Sequence, residues 1–312
     1  MSEFCRNRSS NEWKENKEEY RLIWLDSKID DSNDSIQTQQ MLFKLNPATE
    51  FYTDSDLCIN AIDSNNNEKV LLIISGSLVR IVLSKISRLQ SIQGIFIFCI
   101  NRQQYESVIH EERRIVDIAT NQENLCQSIS QTIHHLERNC ITINVCGQNE
   151  KLLRDLSKES ASFLWHQMLI HVLQQMSQDD QSKTDILDQC EQYYHWNEDE
   201  LKKIKEFRQH YRREKAIQWY TRNSFVYKSL NKALRTENIK LIYTFRFFII
   251  DLCLILEQKH VQLKDQNSFT TYRGLTIPME ELEKWKMNLG QILSINSFFS
   301  TSRDQTISIG FA

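Results

Sequence analysis

Two continuous apolar runs constrain the fold of this chain more than any other feature. Lys69–Ser75 reads KVLLIIS and Ile92–Ile100 reads IQGIFIFCI. Neither alternates with polar residues, so a strand built from either would be buried on both faces. Between them lies Leu78–Leu89, whose apolar residues Leu78, Val79, Val82, Leu83, Ile86 and Leu89 recur at helical spacing. A buried strand, an amphipathic helix and another buried strand form the repeating unit of a parallel sheet covered by helices.

The pattern extends in both directions. Upstream, Arg21–Leu25 is a short apolar run ending at Asp26, Ile36–Leu45 is expected as a helix, Glu50–Thr53 as a strand ending at Asp54, and Leu57–Ile62 as a helix. Downstream, Arg114–Ile118 is a weaker strand and Leu125–Leu136 a closing helix. The expected fold class is therefore α/β, a doubly wound parallel sheet of the flavodoxin or receiver-like kind, over residues 21–146. Ligands in that architecture bind beyond the carboxyl ends of the strands, where Asp26, Asp54 and Ser75-Gly76 are expected. A phosphoacceptor receiver needs an aspartate after its third strand, and Ser75 stands there. A dinucleotide turn needs G-x-G-x-x-G, and Gly76 stands alone. An interaction or sensing domain without chemistry is the simplest expectation. Strand-end aspartates serve equally as helix caps.

Composition narrows the function classes. With 38 Lys and Arg against 41 Asp and Glu, the formal charge is −3, so no basic field attracts nucleic acid or an anionic membrane. Six Gly and two Pro in 312 residues favour a helix-rich chain with modest loops. None of the eight cysteines forms a C-x-x-C pair, which argues for a reducing compartment over a disulfide framework or a zinc site. Residues 1–20 are polar and charged and are expected as a disordered leader, with no apolar core for a secretory signal. The longest apolar candidate, Phe245–Leu256, carries Asp251 and falls short of the roughly 20 residues a bilayer span needs. A cytoplasmic protein is expected.

After Cys146-Gly147 a long helical region follows. Phe163–Met176 has one apolar face. Ser182-x-x-Asp185 and Asn197-x-x-Glu200 resemble capping boxes. Ala216–Leu234 is aromatic-rich with a turn near Asn223, and Thr236 is a candidate cap for Ile239–Leu256. The histidines are scattered, with no metal-binding spacing. The end of the chain is richer in chemistry. Tyr272-Arg273-Gly274 opens a strand, Met279–Leu289 is a charged helix closed by Gly290, and Ser297–Ser302 reads SFFSTS. A guanidinium offers a planar fork of donors suited to a diphosphate. Hydroxyls can donate to a ribose and accept from a neighbour.

In this order, Ala216–Arg235, Tyr272-Arg273-Gly274 and Ser297–Ser302 resemble the helical motif and first two catalytic motifs of the eukaryotic arginine-specific mono-ADP-ribosyltransferases, the R-S-E class. The resemblance runs from about residue 160 to the end. It implies an ADP-ribosyltransferase domain over 150–312, an incomplete α+β domain made of a helical lobe plus first strands. It implies NAD or NADP as co-substrate, no metal, and a protein arginine as acceptor. Arg273 would hold the phosphate and nicotinamide ribose. Gly274 would offer backbone contacts to the nicotinamide amide, with Tyr272 beside it. Ser300 would orient the ribose and the catalytic carboxylate, with Thr301 and Ser302 supporting that strand. The family's third motif, Glu-x-Glu, lies well beyond Ser302, whereas the sequence stops at Ala312, so a fragment of a longer protein is expected. Glu280, Glu281 and Glu283 precede the hydroxyl strand and read as a solvated helix face. Two functions remain open: NAD-dependent transfer to arginine with release of nicotinamide, or a catalytically silent NAD-binding or protein-interaction module.

Overall fold

A computed structural model describes residues 16–64, 68–138, 143–146, 158–176, 180–263, 269–275, 279–287, 289–290, 292–295 and 297–309. Residues 1–15 of the expected leader lie outside that set. The chain divides into two compact units, residues 1–134 with 192–201, and residues 135–191 with 202–312.

The first unit is an α/β fold. Its strands are β1 (Tyr20–Leu25), β2 (Glu50–Tyr52), β3 (Lys69–Ser75), β4 (Ile92–Phe98) and β5 (Ile115–Ala119). They form one sheet in the order β2-β1-β3-β4-β5, with every pair parallel. The order reverses between β1 and β3, as in doubly wound sheets. The helices are α1 (Asn33–Leu45), α2 (Ser55–Asp63), α3 (Val79–Ile86), α4 (Glu106–Glu111) and most of α5 (Gln122–Arg138). Helix α4 and the 3-10 turn before it, Arg102–Tyr105, were not foreseen in the sequence, because so short a segment has no measurable period.

Strand periodicity divides the core between two faces. Ile23, Leu25, Val70, Leu72, Ile74, Ile95 and Ile97 cluster with Cys58 and Ile62 of α2, Val79, Val82 and Ile86 of α3, and Val108 of α4. Residues of opposite parity, Leu22, Trp24, Leu71, Ile73 and Phe96, are buried too. Gln122 Nε2 ties α5 to α1 through the Asp34 carboxylate at 2.9 Å and Thr38 Oγ1 at 2.8 Å. At the short edge, Arg21 forms a two-pronged ion pair with Glu50 at 2.7 and 2.8 Å and donates to the Ala61 carbonyl. At the other edge, Ile118 donates its N–H to Asp117 Oδ1 and its carbonyl accepts from Arg102. Both strand-edge groups of Ile118 are thus engaged by side chains, which blunts β5 as a template for further strands.

Residues 192–201 group with this unit through aromatic and polar contacts. Tyr194 donates to Glu18 at 2.8 Å, Trp196 stacks on Phe43, and Asn197 Nδ2 donates to the Lys44 carbonyl.

The second unit contains β6 (Ile143–Cys146), α6 (Lys158–Gln175), most of α7 (Asp180–Tyr193) and of α8 (Glu198–His210), α9 (Ala216–Thr221), α10 (Phe225–Arg235), α11 (Ile239–Thr244), α12 (Arg246–Leu263), α13 (Met279–Met287), β7 (Ile292–Ile295) and α14 (Gln305–Ile309). Strands β6 and β7 pair antiparallel, so residues 143–146 group here although the sequence pattern attached them to the preceding domain. Phe207 sits at the centre of an aromatic core with Tyr211, Trp219, Phe225, Phe247 and Phe248. Asp251, buried on α12, accepts from Tyr211 at 2.9 Å and from Arg213 at 2.8 Å.

Local caps explain the helix boundaries. Asn197 Oδ1 accepts from the Glu200 N–H, opening α8. Helix α7 begins two residues before Ser182, so Ser182 is not its first capping residue. The apolar stretch expected to run unbroken from Ile239 is divided at Phe245, and Asn238, not Thr236, caps α11. Thr236 instead closes α10, its hydroxyl donating to the Lys232 carbonyl. Glu237 follows with φ 51, and the Asn238 N–H reaches back to the Ala233 carbonyl, the left-handed helix ending that glycine usually supplies. Among the described residues, no helix is long and apolar enough to cross a membrane.

Candidate functional site

The terminal motifs meet in a small backbone junction. Tyr272 and Ser302 form an antiparallel bridge with both bonds made, Tyr272 N–H to Ser302 O at 2.7 Å and Ser302 N–H to Tyr272 O at 2.9 Å. Ser308 on α14 adds a hydroxyl donor to the same Tyr272 carbonyl at 2.9 Å. Ser302 Oγ accepts from the Asp304 N–H. Asp304 in turn accepts from the Thr306 N–H at 2.8 Å and its hydroxyl at 2.6 Å, which caps α14. Those Thr306 bonds hold the Asp304 carboxyl below its ordinary value. Asp304 is therefore engaged as a cap.

Arg273 is anchored on the same junction. Its Nη1 donates to the Ser300 carbonyl at 2.5 Å, and its guanidinium lies 4.7 Å from the centre of the Phe299 ring, within cation–π range. Its Nε is buried with no hydrogen-bond partner. Burial pushes the guanidinium below its ordinary value, while the nearby hydroxyls of Tyr227 and Tyr220 act in the opposite direction. An arginine starts so high that it remains a cation at neutral pH.

The helical segment reaches the junction too. The Tyr220 hydroxyl lies 3.0 Å from the Phe298 carbonyl oxygen and 2.7 Å from Oδ1 of Asn231 on α10. Its ring meets Phe298 edge-on at 5.4 Å and Tyr227 at 5.5 Å. Burial, with Tyr227 adding to it, raises the Tyr220 hydroxyl above its usual range.

The structure thus brings together Tyr272, Arg273, Ser300 and Ser302 from the sequence-predicted set. Gly274 is half-buried, and Ser300 and Thr301 are exposed. Glu283 pairs with Lys286 on the surface of α13, and the side chains of Glu280 and Glu281 lie outside the described residues. Gly290 takes φ +87 with open space around it. Sequence reasoning gave no role at the site to Phe298 and Phe299 of the SFFSTS run, to Tyr220 of the aromatic segment or to Asn231. A tyrosine amid core aromatics was the available signal, since a buried phenol requires a partner.

At the carboxyl edge of the first sheet, Asp54 caps α2, accepting from the Asp56 and Leu57 N–H groups. Asp26 accepts from the Lys28 N–H. Gly76 is needed for close packing, because a Cβ there would come within 2.8 Å of the Tyr105 hydroxyl and 2.9 Å of Cys99 Cβ. A polar hollow of about 210 Å³ is lined by Arg102, Asp117, Thr120, Asn124, Gln127 and Ser128, with Arg102 already engaged by Asp117 and the Ile118 carbonyl. Among the described residues, no group of three or more His, Cys, Asp or Glu is arranged to hold a metal ion.

Comparison with protein-family models, curated proteins and solved structures finds no match to this chain.

Proposed function

We propose that the second unit carries the NAD-holding half of an arginine-directed mono-ADP-ribosyltransferase. The observation that carries this reading is the convergence of three segments far apart in sequence. Tyr272 bridges Ser302, Arg273 grips the Ser300 carbonyl, and Tyr220 of the helical segment reaches the Phe298 carbonyl. These are the segments on which the family resemblance rests.

The side chains present suit a dinucleotide. Arg273 gives Nη1 to the Ser300 carbonyl, and the terminal donors of its guanidinium fork suit a diphosphate. The exposed Ser300 hydroxyl can orient a ribose, and the Tyr272-Arg273-Gly274 backbone lies alongside. In the reaction, the bond from ribose to nicotinamide breaks with its electron pair leaving on nicotinamide. An arginine nitrogen of the acceptor then bonds to the ribose carbon and loses a proton. A carboxylate near the sugar would stabilise the developing positive charge. Asp304, the carboxylate nearest Ser302 in sequence, is engaged at α14 and does not fill that role; the second reading is a module that binds NAD without turning it over.

Calorimetric titration of this chain with NAD, alongside Arg273→Ala, tests the reading. Binding by the wild type and about tenfold or greater weakening in the variant are expected from the loss of charge-assisted bonds. Equal affinity would overturn the assignment. Agmatine labelling by the protein in its longest natural form separates transfer from silent binding, and Ser300→Ala should lower labelling if transfer occurs. The same titration with NADP reports which nucleotide is preferred.

A further inference from the structure

Three carbonyls of the hydroxyl-rich run accept from outside it, and they alternate in sequence. Phe298 O faces the Tyr220 hydroxyl, Ser300 O accepts from Arg273, and Ser302 O accepts from the Tyr272 N–H. The run is therefore held at alternate carbonyls by a phenol, a guanidinium and a backbone amide, in that order.

The phenol poses a problem of proton counting. Tyr220 owns one O–H, while the Phe298 carbonyl oxygen lies 3.0 Å away and Asn231 Oδ1 2.7 Å away. Phe298 O can only accept. One proton cannot fully serve two acceptors; turning the Asn231 amide end for end, so that its NH₂ and not its Oδ1 faces the tyrosine oxygen, would satisfy both. The result is a directed chain in which the Asn231 amide donates to Tyr220 and Tyr220 donates to Phe298 O. Polarisation along such a chain strengthens its last bond.

We propose that Tyr220 and Asn231 are positioning residues that set the Phe298–Ser300 backbone, and with it the Arg273 anchor, for dinucleotide binding. This rests on the NAD reading above. Neither residue touches the ligand; both act through the Phe298 carbonyl.

The test compares wild type, Tyr220→Phe, Asn231→Ala and Arg273→Ala by NAD titration, thermal unfolding and hydrogen exchange around Ser302. Tyr220→Phe keeps the ring and its contacts with Phe298 and Tyr227 but removes the donor. It should weaken NAD binding about three- to tenfold and speed exchange around Ser302. Its melting temperature should stay within about 2 °C of wild type. Asn231→Ala leaves the phenolic proton free for Phe298 and should weaken binding less than Tyr220→Phe. If Arg273→Ala loses NAD while Tyr220→Phe binds like wild type, the positioning role falls and the NAD reading stands. If Asn231→Ala is the more damaging of the two, the direction of the chain is wrong. If wild type binds no NAD, the reading fails and the positioning role fails with it.

Discussion

The two units rely on different kinds of interaction. In the first, a five-stranded parallel sheet is buried through β1 and β3 on both faces, and polar side chains close groups along its edges. In the second, the candidate site rests on one bridge and a few side-chain bonds to carbonyls. Apolar burial is spread over many contacts and specifies no ligand. Individual hydrogen bonds contribute little each but fix direction, which a binding site requires.

The largest test of this contrast is Phe96→Ala, which empties a fully buried site in the first sheet. A loss of about 3–5 kcal/mol is expected in denaturant unfolding. A change below about 1 kcal/mol would mean that the sheet core does not hold that unit. Next, Tyr211→Phe leaves buried Asp251 short of a donor and should destabilise the second unit by about 1–3 kcal/mol. A smaller response would place that unit's stability in its aromatic core alone. Glu237→Gly relieves the left-handed residue at the end of α10 and should stabilise by about 0.5–1 kcal/mol, read as a rise in denaturant midpoint.

The smallest expected effects are in acid. The Arg114 hydrogen bonds hold Glu112 below its ordinary value of 4.5, and those of Arg222 do the same for Glu206. A carboxyl depressed by folding adds stability that is fully present above 4.5 and fades as pH falls through its lower folded value. Glu112→Gln and Glu206→Gln should each lower stability slightly at neutral pH, converge with the wild type in acid, and so flatten the acid limb of a stability–pH curve. Glu112, the less exposed, should show more of this. An acid limb unchanged by Glu112→Gln would show that its pair with Arg114 adds nothing to folding.

Most of the first unit was legible before its structure was known. KVLLIIS forms β3 as expected, and IQGIFIFCI forms β4 as far as Phe98, with Cys99 and the exposed Ile100 beyond the strand, because a sheet buried on both faces accommodates such runs; α1, α2, α3 and α5 follow from helical spacing. Helix α4 escaped because six residues carry too little periodicity. The Asn197 cap and, in the second unit, the turn between α9 and α10 were legible from local chemistry. The break at Phe245 was not. A helix apolar on all sides has no face whose interruption would reveal it, and Asn238 prevailed over Thr236 because it lies directly before Ile239.

At the candidate site, the motifs and their family resemblance nominated Tyr272, Arg273, Gly274, Ser300, Thr301 and Ser302 for a dinucleotide. The sequence alone also determined that an α/β unit precedes them, since pattern and composition are local properties that any folded form must satisfy. Only the tertiary structure decided that β6 pairs with β7, that Tyr272 meets Ser302, and that Tyr220 reaches Phe298 across 78 positions of chain. Such contacts join residues with no shared period. A phenol 78 residues from its acceptor has no signature in the sequence beyond the physical requirement that, once buried, it must have a partner.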